Sequence, residues 1–261
     1  MCANSDDKRF LQFKKAVQAK DSKAIWCLRG GYGAARLLPK LSRLKQPKNV
    51  KLLIGYSDIT HFHMYFNYEW SWPSLHASML EEISEGNVSK KELVDLKNIL
   101  FAKKNKVIYR NLKALNASAR RSSTLNSYLT GGNLTILMAS LGTPYQTSAR
   151  GKILVLEDIG ERGYRIDRML VQLEQAGYFK GIRGVIFGDF VGGEEKDSAT
   201  LGKQVQERFA KSVNFPVLKN LPLGHSHKQR PVPLMTKTKL HLGRNAFIEI
   251  DTGVCAKDLN G

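Results

Sequence analysis

Cysteine is scarce in this chain, acidic residues are outnumbered, and long apolar runs are missing. Three cysteines occur in 261 residues, Cys2, Cys27 and Cys255, and none has metal-ligand spacing to another. So sparse and odd a set excludes a disulfide framework and fits a reducing compartment. No hydrophobic stretch is long enough to span a bilayer, and residues 1–20 are charged and helix-forming, unlike a signal peptide. The expectation is a cytoplasmic protein with no membrane partner. Lysine and arginine number 41 against 23 aspartates and glutamates, a net charge of +18. Yet the chain has no paired C-x-x-C, no basic region leading into heptads and no aromatic strand of the RNA-binding kind, so no specific nucleic-acid partner is expected. Dispersed positive charge equally suits the steering of a carboxylate-rich small molecule. His61 and His63 stand two apart on a helix and point to different faces, so neither a metal nor any other cofactor is expected.

What is present is an ordinary globular composition, 42% hydrophobic and 25% charged, enough for one large domain or two average ones. Ser5, Asp6 and Asp7 mark a helix start, and Ala24 to Leu28 reads as a short buried strand running into Arg29-Gly30-Gly31-Tyr32-Gly33. A short helix interrupted by Pro39 follows. Lys51 to Ile54 is a second buried strand, and Ser57 stands between it and a helix with Ile59, Phe62, His63 and Phe66 at helical spacing. From Lys103 to Thr130 the periodicity fades, and this stretch reads as an inter-domain connection. Beyond it come Asn133 as a helix cap, a strand from Lys152 to Leu156 ending at Glu157-Asp158, further alternating helices and strands, and a C-terminal hairpin around Gly243-Arg244-Asn245. The predicted fold is α/β. An N-terminal parallel-sheet domain covers residues 1–115, a smaller C-terminal α/β domain covers 116–261, and the active site lies between them.

The ends of the first two strands bring a glycine loop and a serine to one edge of a parallel sheet, and ligands bind at such carboxyl edges. A serine on a tight strand-to-helix turn resembles a nucleophile elbow, although the second glycine of G-x-S-x-G is replaced; a plain helix cap is the alternative. A serine hydroxyl is a weak nucleophile and needs an imidazole held by a carboxylate. His225, in a glycine-flanked loop, and Glu157, at a strand end, are the candidates.

Arg29 to Leu38, Gly55-Tyr56-Ser57-Asp58-Ile59-Thr60, Gly131-Gly132-Asn133-Leu134, Leu156 to Glu161 with Tyr164 to Arg168, and Leu221-Pro222-Leu223-Gly224-His225 together resemble the LD-carboxypeptidases, the muramoyltetrapeptide carboxypeptidases. The motifs fall in family order over nearly the whole chain. The resemblance implies a metal-independent serine peptidase, often a homodimer, with Ser57 as nucleophile, His225 as base and Glu157 orienting it. Backbone N–H groups of Gly31 and Asp58 would form the oxyanion hole. The implied reaction releases D-alanine from a murein tetrapeptide.

Two other readings stand beside this one. One is the family's self-immunity branch, which cleaves peptide–nucleotide conjugates. The other is a catalytically silent module binding anionic cell-wall fragments or nucleic acid. Two departures from the family pattern carry expectations. Family members begin with a further strand and helix upstream, so apolar edges beside Ile25 and Ile54 are expected to be exposed and the chain to fold poorly alone. His227 and Lys228-Gln229-Arg230 are expected to compete for Glu157 or to meet a substrate carboxylate.

Overall fold

The computed structural model describes residues 2–195 and 201–253; Cys255 lies outside them. The chain begins with α1 (Asp6–Gln18), β1 (Ala24–Trp26), α2 (Leu38–Leu41), β2 (Leu52–Gly55), α3 (Thr60–Glu69) and β3 (Ser74–His76). It continues with α4 (Leu80–Ser84), α5 (Lys90–Leu100), β4 (Lys106–Tyr109), β5 (Lys113–Ala114), α6 (Ala117–Arg120) and β6 (Thr124–Asn133). There follow α7 (Leu134–Ala139), β7 (Ile153–Ile159), α8 (Gly163–Gln175), β8 (Gly184–Val191), α9 (Gly202–Ser212) and β9 (Val217–Lys219). β10 (Val232–Leu234), β11 (Lys237–His241) and β12 (Phe247–Asp251) complete the described fold.

Local chemistry sets several of the boundaries. The Ser5 hydroxyl accepts from the Lys8 N–H at the start of α1, and Asp6 and Asp7 oppose the positive end of that helix. Ser89 caps α5 in the same way through the Glu92 N–H. Pro39 sits in the first turn of α2, where its missing N–H costs no hydrogen bond, so it starts this helix instead of breaking one.

The strands form two sheets. The first has the order β1-β2-β3-β10, parallel through β1, β2 and β3 and antiparallel at β10. The second has the order β4-β12-β11-β6-β7-β8-β9-β5, with β6 to β9 parallel and the remaining pairs antiparallel. Two α/β units are present as expected, but the second sheet is the larger, with eight strands against four.

The difference arises in residues 103–130, which are not a connection. Val107 and Tyr109 are buried while Lys106 and Ile108 are exposed, the period-two pattern of a half-buried strand. The solvent face of this antiparallel part carries Lys106, Thr124, Asn126, Lys237 and Lys239, which hid the strands among apparent loop residues. Ile54 is fully buried at the centre of the first sheet, so the expected exposed edge is absent there. β1 is the free edge, and Ile25 on it is also buried.

One apolar cluster joins Ile54 and Leu75 of the first sheet to Leu129, Val155, Ile186 and Leu234. A second packs α7, α8 and α9 on the parallel half of the large sheet through Leu134, Leu170, Leu173 and Phe209. A third packs α1, α2 and α3 on β1 and β2 through Val17, Leu41, Leu53 and Phe66.

Candidate active site

The carboxyl ends of parallel strands bring the chemistry together. Ser57 follows β2 on a 3-10 turn, Ser57–Ile59, that leads directly into α3. Its φ of 62° puts a non-glycine residue in the left-handed region, a strained geometry of the kind that raises a side chain above a strand end. Among the described residues the Ser57 hydroxyl has no hydrogen-bond partner.

The glycine loop after β1 packs against it. A Cβ built on Gly30 would lie 3.4 Å from the Ser57 Cβ and 3.6 Å from its Oγ. Asp58 ties the two segments: its buried carboxylate accepts the Ala34 N–H at 2.8 Å, fixing the end of the loop to the turn. Burial pushes the Asp58 carboxyl up, against the hydrogen bond from Ala34 and the field of Arg9.

The second lobe supplies a buried carboxylate in contact with an imidazole. Glu157, near the end of β7, is completely buried, and its Oε2 lies 2.8 Å from Nδ1 of His225. Burial alone drives the Glu157 carboxyl up. The hydrogen bond from His225, the His76 ring 4.0 Å away and the fields of both imidazoles outweigh it and hold the group down at about 2. Burial likewise opposes charging of His225, but the hydrogen bond and charge of Glu157, with Asp158 and Glu82 further off, leave its pKa raised above 6.5. A carboxylate bonded to Nδ1 makes that nitrogen the donor and leaves Nε2 as the basic atom.

Sequence reasoning therefore named the carboxylate and imidazole that the fold brings into contact. The stretch Ser226 to Pro233 behaves differently from expectation. His225 alone bonds Glu157, Arg230 pairs with Asp95 on α5, and Gln229 donates to Ser78. Arg230 and Gln229 thus anchor the loop carrying His225, and neither they nor His227 and Lys228 hydrogen-bond to its carboxylate.

Surrounding residues fix the second-lobe edge. Gly132 and Asn133 close on α3 where the Asn133 N–H donates to the Thr60 hydroxyl at 3.1 Å. Asn133 caps α7 as expected, accepting from the Ile136 N–H, and its amide donates to Asp158. Asp158 also accepts from the N–H and hydroxyl of Thr135, at 2.9 and 2.8 Å. It is raised by burial, which these donors offset only in part.

Three site residues escaped the sequence reading. Tyr56 lays its ring 4.7 Å from His225 and 5.5 Å from His76, and its hydroxyl donates to Glu82 at 2.6 Å. His76 ends β3 and is fully buried, as is His63 of α3. The strand-edge argument that selected Ser57 applies equally to His76, because β3 is the third parallel strand of the same sheet.

Comparison with known proteins identifies the family. Residues 1–77 match the LD-carboxypeptidase N-terminal domain, and residues 126–240 match the LD-carboxypeptidase C-terminal domain. The chain is 38% identical to a Rickettsia conorii relative, over 91% of this chain and 74% of that protein. It is 31% identical to the murein tetrapeptide carboxypeptidase of Pseudomonas aeruginosa, over 88% of this chain and 76% of that one. The crystal structure of muramoyltetrapeptide carboxypeptidase from Oxalobacter formigenes superposes with a TM-score of 0.82 at 27% identity, covering 95% of this chain and 86% of that one. The microcin self-immunity protein MccF superposes at 0.75 with 21% identity, covering 95% and 81%, a likeness of fold alone. With both domain models matched in order on a chain of this topology, the protein belongs to the LD-carboxypeptidase family.

Proposed function

We propose that this chain is a serine carboxypeptidase that hydrolyses the bond before the terminal D-alanine of murein tetrapeptides. The observation that carries the reading is the buried Glu157–His225 pair, held at 2.8 Å with the His225 ring 4.7 Å from that of Tyr56, the residue before Ser57. In the proposed reaction, Nε2 of His225 takes the Ser57 proton as Oγ attacks the carbonyl carbon, and an acyl-enzyme forms. The protonated imidazole then gives its proton to the departing amine of D-alanine. Water, deprotonated by the same nitrogen, releases the shortened peptide.

Glu157 keeps Nδ1 protonated and stabilises the imidazolium without accepting its proton, in keeping with its low pKa. Backbone N–H groups of Gly31 and Asp58 are the proposed oxyanion donors. The bond between Asp58 and Ala34 supports that role, since it fixes the serine turn against the glycine loop. Residues 1–115 are taken as the lobe carrying the serine and residues 116–261 as the lobe carrying glutamate and histidine, with β4 and β5 of the former joining the second sheet and β10 of the latter joining the first. A homodimer in the cytoplasm completes the proposal, with light scattering on the purified protein as the check on its mass.

Free D-alanine is the readout. Incubation with synthetic murein tetrapeptide should release it, while the corresponding pentapeptide should not yield it at a comparable rate. Ser57→Ala should abolish release with the fold intact by circular dichroism. Undiminished release by that variant removes Ser57 from the mechanism.

A further inference from the structure

Glu157 has two oxygens, and the acid–base pair uses one. The other, Oε1, is buried without a hydrogen-bond partner and lies 4.0 Å from Nε2 of His76. A completely buried carboxylate oxygen with no donor has lost its water without any replacement, which is unfavourable for a charged group. The nearest imidazole is equally unsatisfied: His76 is fully buried, and neither ring nitrogen has a partner. Two orphaned polar groups facing each other inside the protein are complementary, one a pure acceptor and the other able to donate.

The surroundings define which way His76 points. Its backbone is locked at the centre of the first sheet, opposite Gly55 on β2 and Val232 on β10. Tyr56 packs on its ring from one side, and His63 lies nearly parallel to it at 6.4 Å. His63 cannot serve as the donor to Glu157. Its Nε2 lies 2.9 Å from the Gly55 carbonyl, which can only accept, so the ring donates there and its Nδ1 is the bare nitrogen. Burial drives the His63 pKa down to about 3, and this ring stays neutral. The titratable groups facing the cluster are then Tyr56, His63 and Glu157 around His76, with Asp158, Asp189 and Glu82 beyond Glu157 and His225.

We infer that His76 is a positioning residue of the reaction, donating Nε2–H to the free oxygen of Glu157 when positive charge develops on His225. Closing the 4.0 Å gap to hydrogen-bond length takes a movement of roughly 1 Å. Rotation of the Glu157 side chain supplies it without moving either strand. Glu157 is then held from both sides by two imidazoles delivered by different lobes, His76 from β3 and His225 from the loop after β9. The inference rests on the proposed serine mechanism for its catalytic meaning, but the donor geometry is independent of it.

The test combines a spectroscopic and a kinetic readout. In the wild-type protein, ¹⁵N-correlated histidine NMR should show His76 protonated at Nε2 and bare at Nδ1. The opposite tautomer overturns the inference whatever the activity, so its failure is separable from failure of the Ser57 assignment. His76→Phe keeps a ring of similar volume and removes the donor. Its kcat should fall roughly ten- to a hundredfold with KM little changed, the scale of one hydrogen bond to a charged group. The acid limb of its kcat/KM profile should move to higher pH, because Glu157, relieved of one donor, holds the His225 proton more tightly. His76→Gln returns an N–H near the Nε2 position and should restore most of kcat and the position of the limb. A lowered melting temperature with unchanged kcat and pH profile in His76→Phe would mean that the ring only fills space.

Discussion

Replacing Ser57 by glycine separates the backbone cost of the serine turn from the chemistry of its hydroxyl. At φ 62° an L-residue pays about 1–2 kcal/mol for the close approach of its Cβ to the backbone. Glycine escapes that cost but loses roughly 0.5–1 kcal/mol more chain entropy on folding. The difference favours glycine by about 0.5–1 kcal/mol. The hydroxyl has no hydrogen bond to forfeit among the described residues, so Ser57→Ala should fold within about 0.5 kcal/mol of the wild type. Ser57→Gly should therefore melt about 1–4 °C above Ser57→Ala, on the scale of about 2–4 °C per kcal/mol for a domain of this size. Both should release no D-alanine. Differential scanning calorimetry of the pair at one pH makes the comparison. A glycine variant that melts below the alanine variant would refute the claim that strain is stored at this turn.

Three further outcomes follow from the buried pair and the glycine turn beside it. Glu157→Gln should lower kcat by about 10⁴-fold, the scale of removing the carboxylate from such a triad. It should also bring the acid limb of kcat/KM down from above 6.5, since burial then acts on His225 without its counter-charge; an unmoved limb contradicts the assignment. Stability from Glu157 is full above its ordinary value of 4.5 and is lost as pH falls toward about 2, because its pKa is depressed in the folded state. Urea midpoints should consequently drop between pH 5 and 3 more steeply in the wild type than in Glu157→Gln, and parallel slopes would show that the pair does not stabilise the fold. At Gly131 φ is 118° and an added Cβ would stand 2.1 Å from the Val155 carbonyl oxygen. Gly131→Ala should cost about 3–5 kcal/mol by denaturant titration, and a loss under about 1 kcal/mol would mean that β6 and β7 can part there.

Much of the chemistry was legible because it depends on short, local signals. A buried run ending in glycines, a serine between strand and helix, and an acid at a strand end each mark a carboxyl edge without knowledge of the partner strands. His225 was legible only through its flanking glycine and the need for a base. His76 was not, because Ser74–His76 is three residues long and, beside Trp70-Ser71-Trp72-Pro73, reads as either a short strand or a loop. Its importance comes from pairing with β2, a contact between distant segments that no local pattern encodes. The strands β4 and β6 were missed for a different reason: their exposed face includes Lys106, Thr124 and Asn126, and an alternation with polar residues on one side is easily taken for a loop. The anchoring of Arg230 by Asp95 likewise joins residues 135 positions apart.

The short strand β10 has a consequence for how the molecule holds together. After the His225 loop the chain returns to the first sheet, lies antiparallel to β3 as its outermost strand, and then goes back to finish the second. The lobe that begins the sequence is thus completed by residues near its end. A fragment cut near residue 115 would leave β3 with a bare edge and its apolar neighbours Ile54 and Leu75 without Leu234. Both lobes should melt in a single cooperative transition, and any swing that parted them would tug on the histidine loop, so the grip of the carboxylate on the imidazole doubles as a latch between the two sheets.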